Sequence, residues 1–165
     1  MASNIGHQFE SYLDELHQFY EAEGRALIRK VDPPTKVTRD KGIFFVGTGL
    51  PDFIGVINGG RFVVCEAKAT ADQRGFNRSA LKSHQRGNLD KISSLGGAAV
   101  LLLLKTPDSD SPRAEYVIPW ERRDELPVSS TWMWGALRKF KCLSQESWLD
   151  TWHRLSNRFT EDANI

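Results

Sequence analysis

An aspartate, Asp52, stands fourteen positions before a glutamate, Glu66, and a lysine, Lys68, follows two residues later inside an otherwise apolar run, RFVVCEAKA. Burying an ionised carboxylate alone is very costly, so Glu66 must be paired, solvated in a cleft, or holding a metal. A salt-bridged strand end would account for Glu66 and Lys68 by themselves. Asp52 adds a second carboxylate that a tight hairpin can bring to the same end and face of a sheet. Two carboxylates converging repel unless a hard cation lies between them, and oxygen ligands of this kind suit Mg²⁺ or Mn²⁺. A lysine beside such a site orients a water nucleophile, lowers its pKa, or offsets charge on a phosphorane-like transition state; without a metal it neutralises the carboxylates. Together these groups are equipped to hydrolyse a phosphodiester.

Two further residues bear on the same chemistry. Gln85 falls between Leu81 and Leu89 on the apolar stripe of a helix, where an amide needs partners that apolar neighbours do not supply. Its answer is either a backbone group or the metal and its water shell. Glu10, directly after Phe9 in the first helix, is a candidate metal or water ligand, or else an ordinary boundary glutamate. His84, alone beside a basic stripe, reads as a surface or phosphate contact and is left out of the catalytic set.

The elements that must position these groups follow from periodicity. Ile5, Phe9, Leu13, Leu16 and Tyr20 recur at three and four, an amphipathic helix that Gly24 ends. ALIRKV reads as a strand or helix extension, Pro33 and Pro34 force a turn or a protruding excursion, and GIFFVG resumes as a strand. Asn58-Gly59-Gly60 joins two β-rich runs into a hairpin. In its second strand, period two sends Val64, Glu66 and Lys68 to one face and Val63, Cys65 and Ala67 to the other. SALKSHQRGNLDKISSLGG predicts a helix capped by Ser79, stopped by Gly96 and Gly97, with Leu81, Leu89, Ile92 and Leu95 on its stripe. AAVLLLLK is a strand buried on both faces, AEYVIP an edge strand, and SQESWLDTWHRLSNRF a closing helix. The order predicts a mixed α/β sheet layered by helices.

At 165 residues, 40% apolar and 26% charged, the chain has the size and composition of one globular domain, taken as 1–165 with a core at about 5–119 and a helical embellishment at about 120–165. No apolar run is long enough to span a bilayer and no secretory leader is visible, so a cytoplasmic setting is expected, with no membrane partner. Cys65 and Cys142 are too few and too far apart for a disulfide framework or a zinc site, and each reads as a reduced small hydrophobe. The net charge of +1 conceals two basic stretches. One holds Arg29, Lys30, Lys36, Arg39 and Lys41; the other holds Arg74, Arg78, Lys82 and Arg86. They are candidate DNA-phosphate contacts, which position without reading bases. The tryptophans beyond Trp120 read as packing a core or a dimer interface rather than stacking on bases.

Pro51-Asp52, a hairpin, and Glu66-Ala67-Lys68 resemble the PD-(D/E)xK signature of the restriction-endonuclease-like nucleases. Over about residues 42–105, GLPDFIGVINGGRFVVCEAKAT, Phe76, His84-Gln85 and GGAAVLLLL resemble the RecU family of Holliday junction resolvases. The resemblance implies a restriction-endonuclease-like fold, with a mixed central β-sheet flanked by helices. It implies a homodimeric, Mg²⁺-dependent endonuclease, with Mn²⁺ as a substitute, that makes paired nicks in branched DNA at four-way junctions. By the same resemblance Asp52 and Glu66 are metal ligands, Lys68 activates water or stabilises the transition state, and Gln85 is a further ligand. Leu50 stands where the family usually carries a threonine that serves the metal, which leaves that place to Thr48, Glu10 or water. Gly6 to Glu10 also resembles the first helix of archaeal and phage junction resolvases, where the glutamate joins the site. The family's projection into the junction centre matches the segment Arg29 to Lys41.

Overall fold

The computed structural model describes residues 2–32, 35–38, 42–45, 49–109 and 111–162, with 2–3, 35–38, 42–45 and 157–162 described as backbone only. Helix α1 (Ala2–Ala22) leads into β1 (Ala26–Lys30). A separate antiparallel ribbon of β2 (Thr35–Thr38) and β3 (Gly42–Phe45) follows, and then the hairpin of β4 (Phe53–Ile57) and β5 (Arg61–Thr70). Short β6 (Gly75–Asn77) precedes α2 (Ser83–Ser94), β7 (Ala98–Lys105) and β8 (Ala114–Pro119). The chain closes with β9 (Thr131–Met133), one turn of α3 (Trp134–Leu137) and α4 (Trp148–Asp162).

The central sheet has the order β1-β4-β5-β7-β8, with only the β5/β7 pair parallel. A parallel pair needs a crossover, and α2 supplies it, so α2 is laid on one face of the sheet. That face carries Val64, Ala99, Leu101 and Leu103, in one apolar cluster with Leu81 and Leu89. The opposite face carries Val63, Cys65, Ala67, Val100 and Leu102 against Phe9, Leu13 and Tyr20 of α1. The alternation read from β5 is therefore the alternation observed. This is the expected mixed α/β sheet flanked by helices.

Helix α1 ends as expected: Gly24 takes φ +68°, and the Arg25 N–H returns to the Tyr20 carbonyl at 2.8 Å. Its buried stripe also contains His17, which the apolar pattern skips. His17 Nε2 accepts from Trp148 Nε1 at 3.2 Å, and its ring meets Phe53 edge-on at 4.8 Å. Burial holds His17 neutral, with its pKa lowered to about 4.

Three expectations are corrected. The second helix begins at Ser83 rather than after Ser79, because Asn77 first caps a separate 3-10 turn over Arg78–Ala80. Leu95 is 86% exposed instead of sharing the stripe, since it lies past the last helical residue as the cap. The segment 120–162 is not helical throughout, for β9 pairs with β6 to form a two-stranded sheet. Its tryptophans do pack inward: Trp120, Trp132, Trp148 and Trp152 are buried, and Trp134 stacks on Tyr116 at 5.0 Å.

Gly55 of β4 lies directly against the backbone of β1. A Cβ there would lie 2.1 Å from the Leu27 carbonyl oxygen and 2.6 Å from Ile28 Cα, both backbone atoms that cannot turn aside. Gly55→Ala is expected to cost roughly 1–3 kcal/mol by forcing the two strands apart. Urea unfolding measures it; an unchanged midpoint would mean β1 is free to shift.

Candidate active site

The Asn58-Gly59-Gly60 turn, with φ +88° at Gly59 and +77° at Gly60, sets the β4/β5 register so that Phe53 opposes Cys65. One residue before that pair, Asp52 turns its carboxylate across to β5, and its Oδ2 accepts the Ala67 N–H at 2.8 Å. Its own carbonyl accepts the Val31 N–H at 2.9 Å, which ties the site to the end of β1. A carboxylate bonded to backbone in this way has little freedom to move.

Glu66 points to the α2 face, and its side chain is fully buried. Its Oε2 accepts from Gln85 Nε2 at 2.7 Å and from Lys68 Nζ at 3.3 Å. Lys68 Nζ also lies 3.5 Å from Asp52 Oδ2, so one ammonium group bridges the two carboxylates. Burial, and after it the neighbouring Asp52 carboxylate, push the Glu66 pKa up to about 8, with Lys68 pulling it back. Glu66 Oε1 is buried and has no hydrogen-bond partner among the described residues. A buried carboxylate oxygen left unsatisfied is costly, and a cation would satisfy it.

Of the alternatives for Gln85, the backbone partner is the one observed, and its amide nitrogen finds a carboxylate besides. Its Oε1 accepts the Lys82 N–H at 3.0 Å, capping α2, which leaves the amide nitrogen to face Glu66. The helix start and the carboxylate are therefore held by one side chain. Gln85 orients Glu66 in this arrangement; to offer its oxygen to a metal it would have to turn the amide and give up the cap.

Glu10 is placed elsewhere. Helix α1 covers the opposite face of the sheet, and Glu10 pairs with Lys30 at 3.0 Å instead of meeting Asp52 and Glu66. Among the described residues no group of three or more His, Cys, Asp or Glu is placed to hold a metal. The acidic centre is the pair Asp52 and Glu66. Leu50 is exposed, and Thr48 lies outside the described residues. His84 is exposed, and its ring lies 3.6 Å from where a Cβ on Gly49 would stand, over the loop that leads to Asp52.

The basic candidates divide. Lys82 is exposed, while Arg78 and Arg86 are half-buried and donate to the Ser129 and Leu81 carbonyls at 2.9 Å. These three flank the start of α2, beside Gln85. Arg74 pairs with Asp72 at 3.2 Å and Arg29 with Glu21 at 2.8 Å, both on the surface. Arg39 and Lys41 lie outside the described residues, as does the side chain of Lys36. The β2/β3 ribbon stands between β1 and β4 in the chain but outside the central sheet, where a protruding excursion was expected. Sequence reasoning did not find the Asp52 bond to the Ala67 N–H, since backbone donors leave no trace in residue types.

Comparison with known proteins adds an independent line. The chain is 26% identical over 111 residues to the Holliday junction resolvase RecU of Bacillus pumilus, an alignment covering 61% of this chain and 54% of that protein. The chain thus spans about half the length of the curated relative it matches. A solved structure of Archaeoglobus fulgidus Hjc, a Holliday junction resolvase from an archaeal hyperthermophile, aligns over 81% of this chain and 87% of that one, at 14% identity and a TM-score of 0.48. The model of the RecU family, Recombination protein U, matches residues 4–123, a stretch that contains Asp52, Glu66, Lys68 and Gln85. The chain belongs to the RecU family.

Proposed function

We propose that the protein is a Mg²⁺-dependent endonuclease that nicks four-way DNA junctions, with Mn²⁺ able to replace Mg²⁺. The observation that carries this reading is the buried Glu66, whose Oε1 is unpartnered, facing Asp52 with Lys68 between them. Mg²⁺ sites commonly use one or two carboxylates and fill the rest with water and phosphate oxygen, a demand that Asp52 and Glu66 meet. A divalent ion held there supplies Lewis-acid activation of water and neutralises phosphate charge.

The chain's own residues do the rest. Gln85 keeps Glu66 turned toward Asp52 by donating to Oε2, and the Ala67 N–H keeps Asp52 turned toward Glu66. Lys68 is the cation that stands beside both carboxylates. Its ammonium orients the attacking water and donates to the phosphoryl oxygens as charge gathers on them, while bulk water takes the proton lost by the nucleophile and protonates the bridging oxygen that leaves in line with the attack. Lys82, Arg78 and Arg86 engage flanking phosphates, so binding is expected to weaken as salt rises. Such contacts carry no base readout, and junction shape sets the preference. A DNA substrate fits the cytoplasmic setting expected from the sequence.

Paired nicks need two sites, and a homodimer provides them. Leu27, Val56 and Phe62 are cross-strand neighbours on β1, β4 and β5, and they are 50%, 42% and 45% exposed. This apolar row lies on the α2 side of the sheet, and we assign it to the contact between copies. Phe62→Asp is expected to yield monomers by analytical ultracentrifugation. A wild-type protein that sediments as a monomer at micromolar concentration removes the dimer from the proposal.

Incubating labelled four-way junction, linear duplex and flap DNA with the protein, with and without Mg²⁺, tests the function. Symmetric metal-dependent nicks confined to the junction are expected. Equal cutting of linear duplex would point instead to a duplex nuclease using the same residues.

A further inference from the structure

We propose that a cavity beside the candidate active site takes the base of one unpaired nucleotide of the bound DNA strand. The site rests on the reading of the chain as a DNA nuclease and gives it a second strand-binding element. The cavity is about 300 Å³ and lies between α2 and the segment that follows β8. A small planar guest fits that volume.

Its floor is closed by the buried side chains of Phe76, Leu81 and Trp132. One wall offers both hydrogen-bonding senses, as the edge of a base requires. Asp90 Oδ1 accepts from Trp120 Nε1 at 2.7 Å and pairs with Arg123 at 3.3 Å, so a carboxylate and a guanidinium stand side by side. The remaining rim is cationic and apolar: Arg78, held with its guanidinium 5.1 Å over the Trp132 ring, Arg86, and the fully exposed Val128.

A nucleotide within a strand suits the site better than a free one. Arg78, Arg86 and Val128 also line an open groove with Asn77, Ser79 and Ser130, so a strand whose base enters the cavity has a path for its phosphates. Arg86 follows Gln85 on α2, which puts the cavity and the acidic pair on the same layer of the molecule. Leu126, Val128 and Trp132 lie beyond residue 123, where the family match ends.

The test is photo-cross-linking in EDTA, where no cleavage is needed. The probe is a four-way junction with one unpaired 5-iododeoxyuridine at the branch, compared with the same label in a fully paired junction. Cross-links from the unpaired label are expected to map to the cavity lining. Val128→Trp, which fills the mouth from an exposed position, is expected to lower their yield about tenfold, the scale of one lost base contact, while Val128→Ala leaves it unchanged. Thermal melts confirm that both variants fold. Cross-links that map elsewhere, or that persist in Val128→Trp, overturn the proposal. Suppression by thymidine monophosphate at concentrations matching the junction would overturn the strand assignment in favour of a free nucleotide. Cleavage with Mg²⁺ is scored separately, so failure of the nuclease reading and failure of the cavity are told apart.

Discussion

Glu66→Gln is expected to lower Mg²⁺-dependent junction cleavage on the order of 10³-fold and, in the same protein without metal, to raise the unfolding midpoint at pH 8. The loss follows from removing one of the two charges proposed to hold the cation. The gain follows from burial. Glu66 has a folded pKa near 8 against an ordinary value of 4.5, driven up first by burial and then by Asp52. A group whose pKa is raised on folding contributes stability that is fully present below about 4.5 and is lost as pH rises through about 8. Glutamine has no proton to lose, keeps the shape and still accepts from Gln85. The difference between variant and wild type should therefore open between pH 5 and pH 8, reaching on the order of a few kcal/mol. Urea unfolding in EDTA at the two pH values measures it. Adding Mg²⁺ should raise the wild-type midpoint and leave the variant's nearly unmoved, because only the wild type binds the ion in its folded state. A wild type at least as stable as the variant at pH 8 without metal would mean that its carboxylate is well solvated.

Lys68→Ala carries the opposite sign for stability. Its ammonium lies 3.3 Å from Glu66 and 3.5 Å from Asp52, and removing it leaves two carboxylates facing each other. The metal-free variant should lose roughly 2 kcal/mol at pH 8, and less at pH 5 where Glu66 is protonated. Mg²⁺ should recover much of that stability, since it takes over the charge compensation. Cleavage should nonetheless stay on the order of 10²-fold to 10³-fold down, because the ion does not replace a donor aimed at the developing phosphoryl charge. Single-turnover rates at saturating Mg²⁺, together with melts in the same buffer, separate these two roles. Recovery of the rate along with the stability would reduce Lys68 to a counter-charge.

Much of this arrangement was legible in residue order because period two and a glycine turn constrain it tightly. The alternation in β5 assigns Glu66 and Lys68 to one face whatever the rest of the chain does, and an amide at position 85 of an apolar stripe has to find polar company. Glu10 was harder. A helix stripe tells which side of α1 is buried but not which face of the sheet it covers, and that choice sends Glu10 to Lys30. The start of α2 misled for a different reason: Asn77 and Ser79 are both good caps, and the Asn77 carboxamide takes the Ser79 N–H into a short turn of its own. The pairing of β6 with β9 joins segments more than fifty residues apart, each only three residues long, which no local pattern announces.

The hydrogen bond from Trp148 to His17 joins the last helix to the first across the back of the sheet. Arg25, just after the first helix, also pairs with Asp150. A fragment ending at residue 123, where the family match stops, would strip the cover from α1, so the smallest unit able to fold must reach into the last helix.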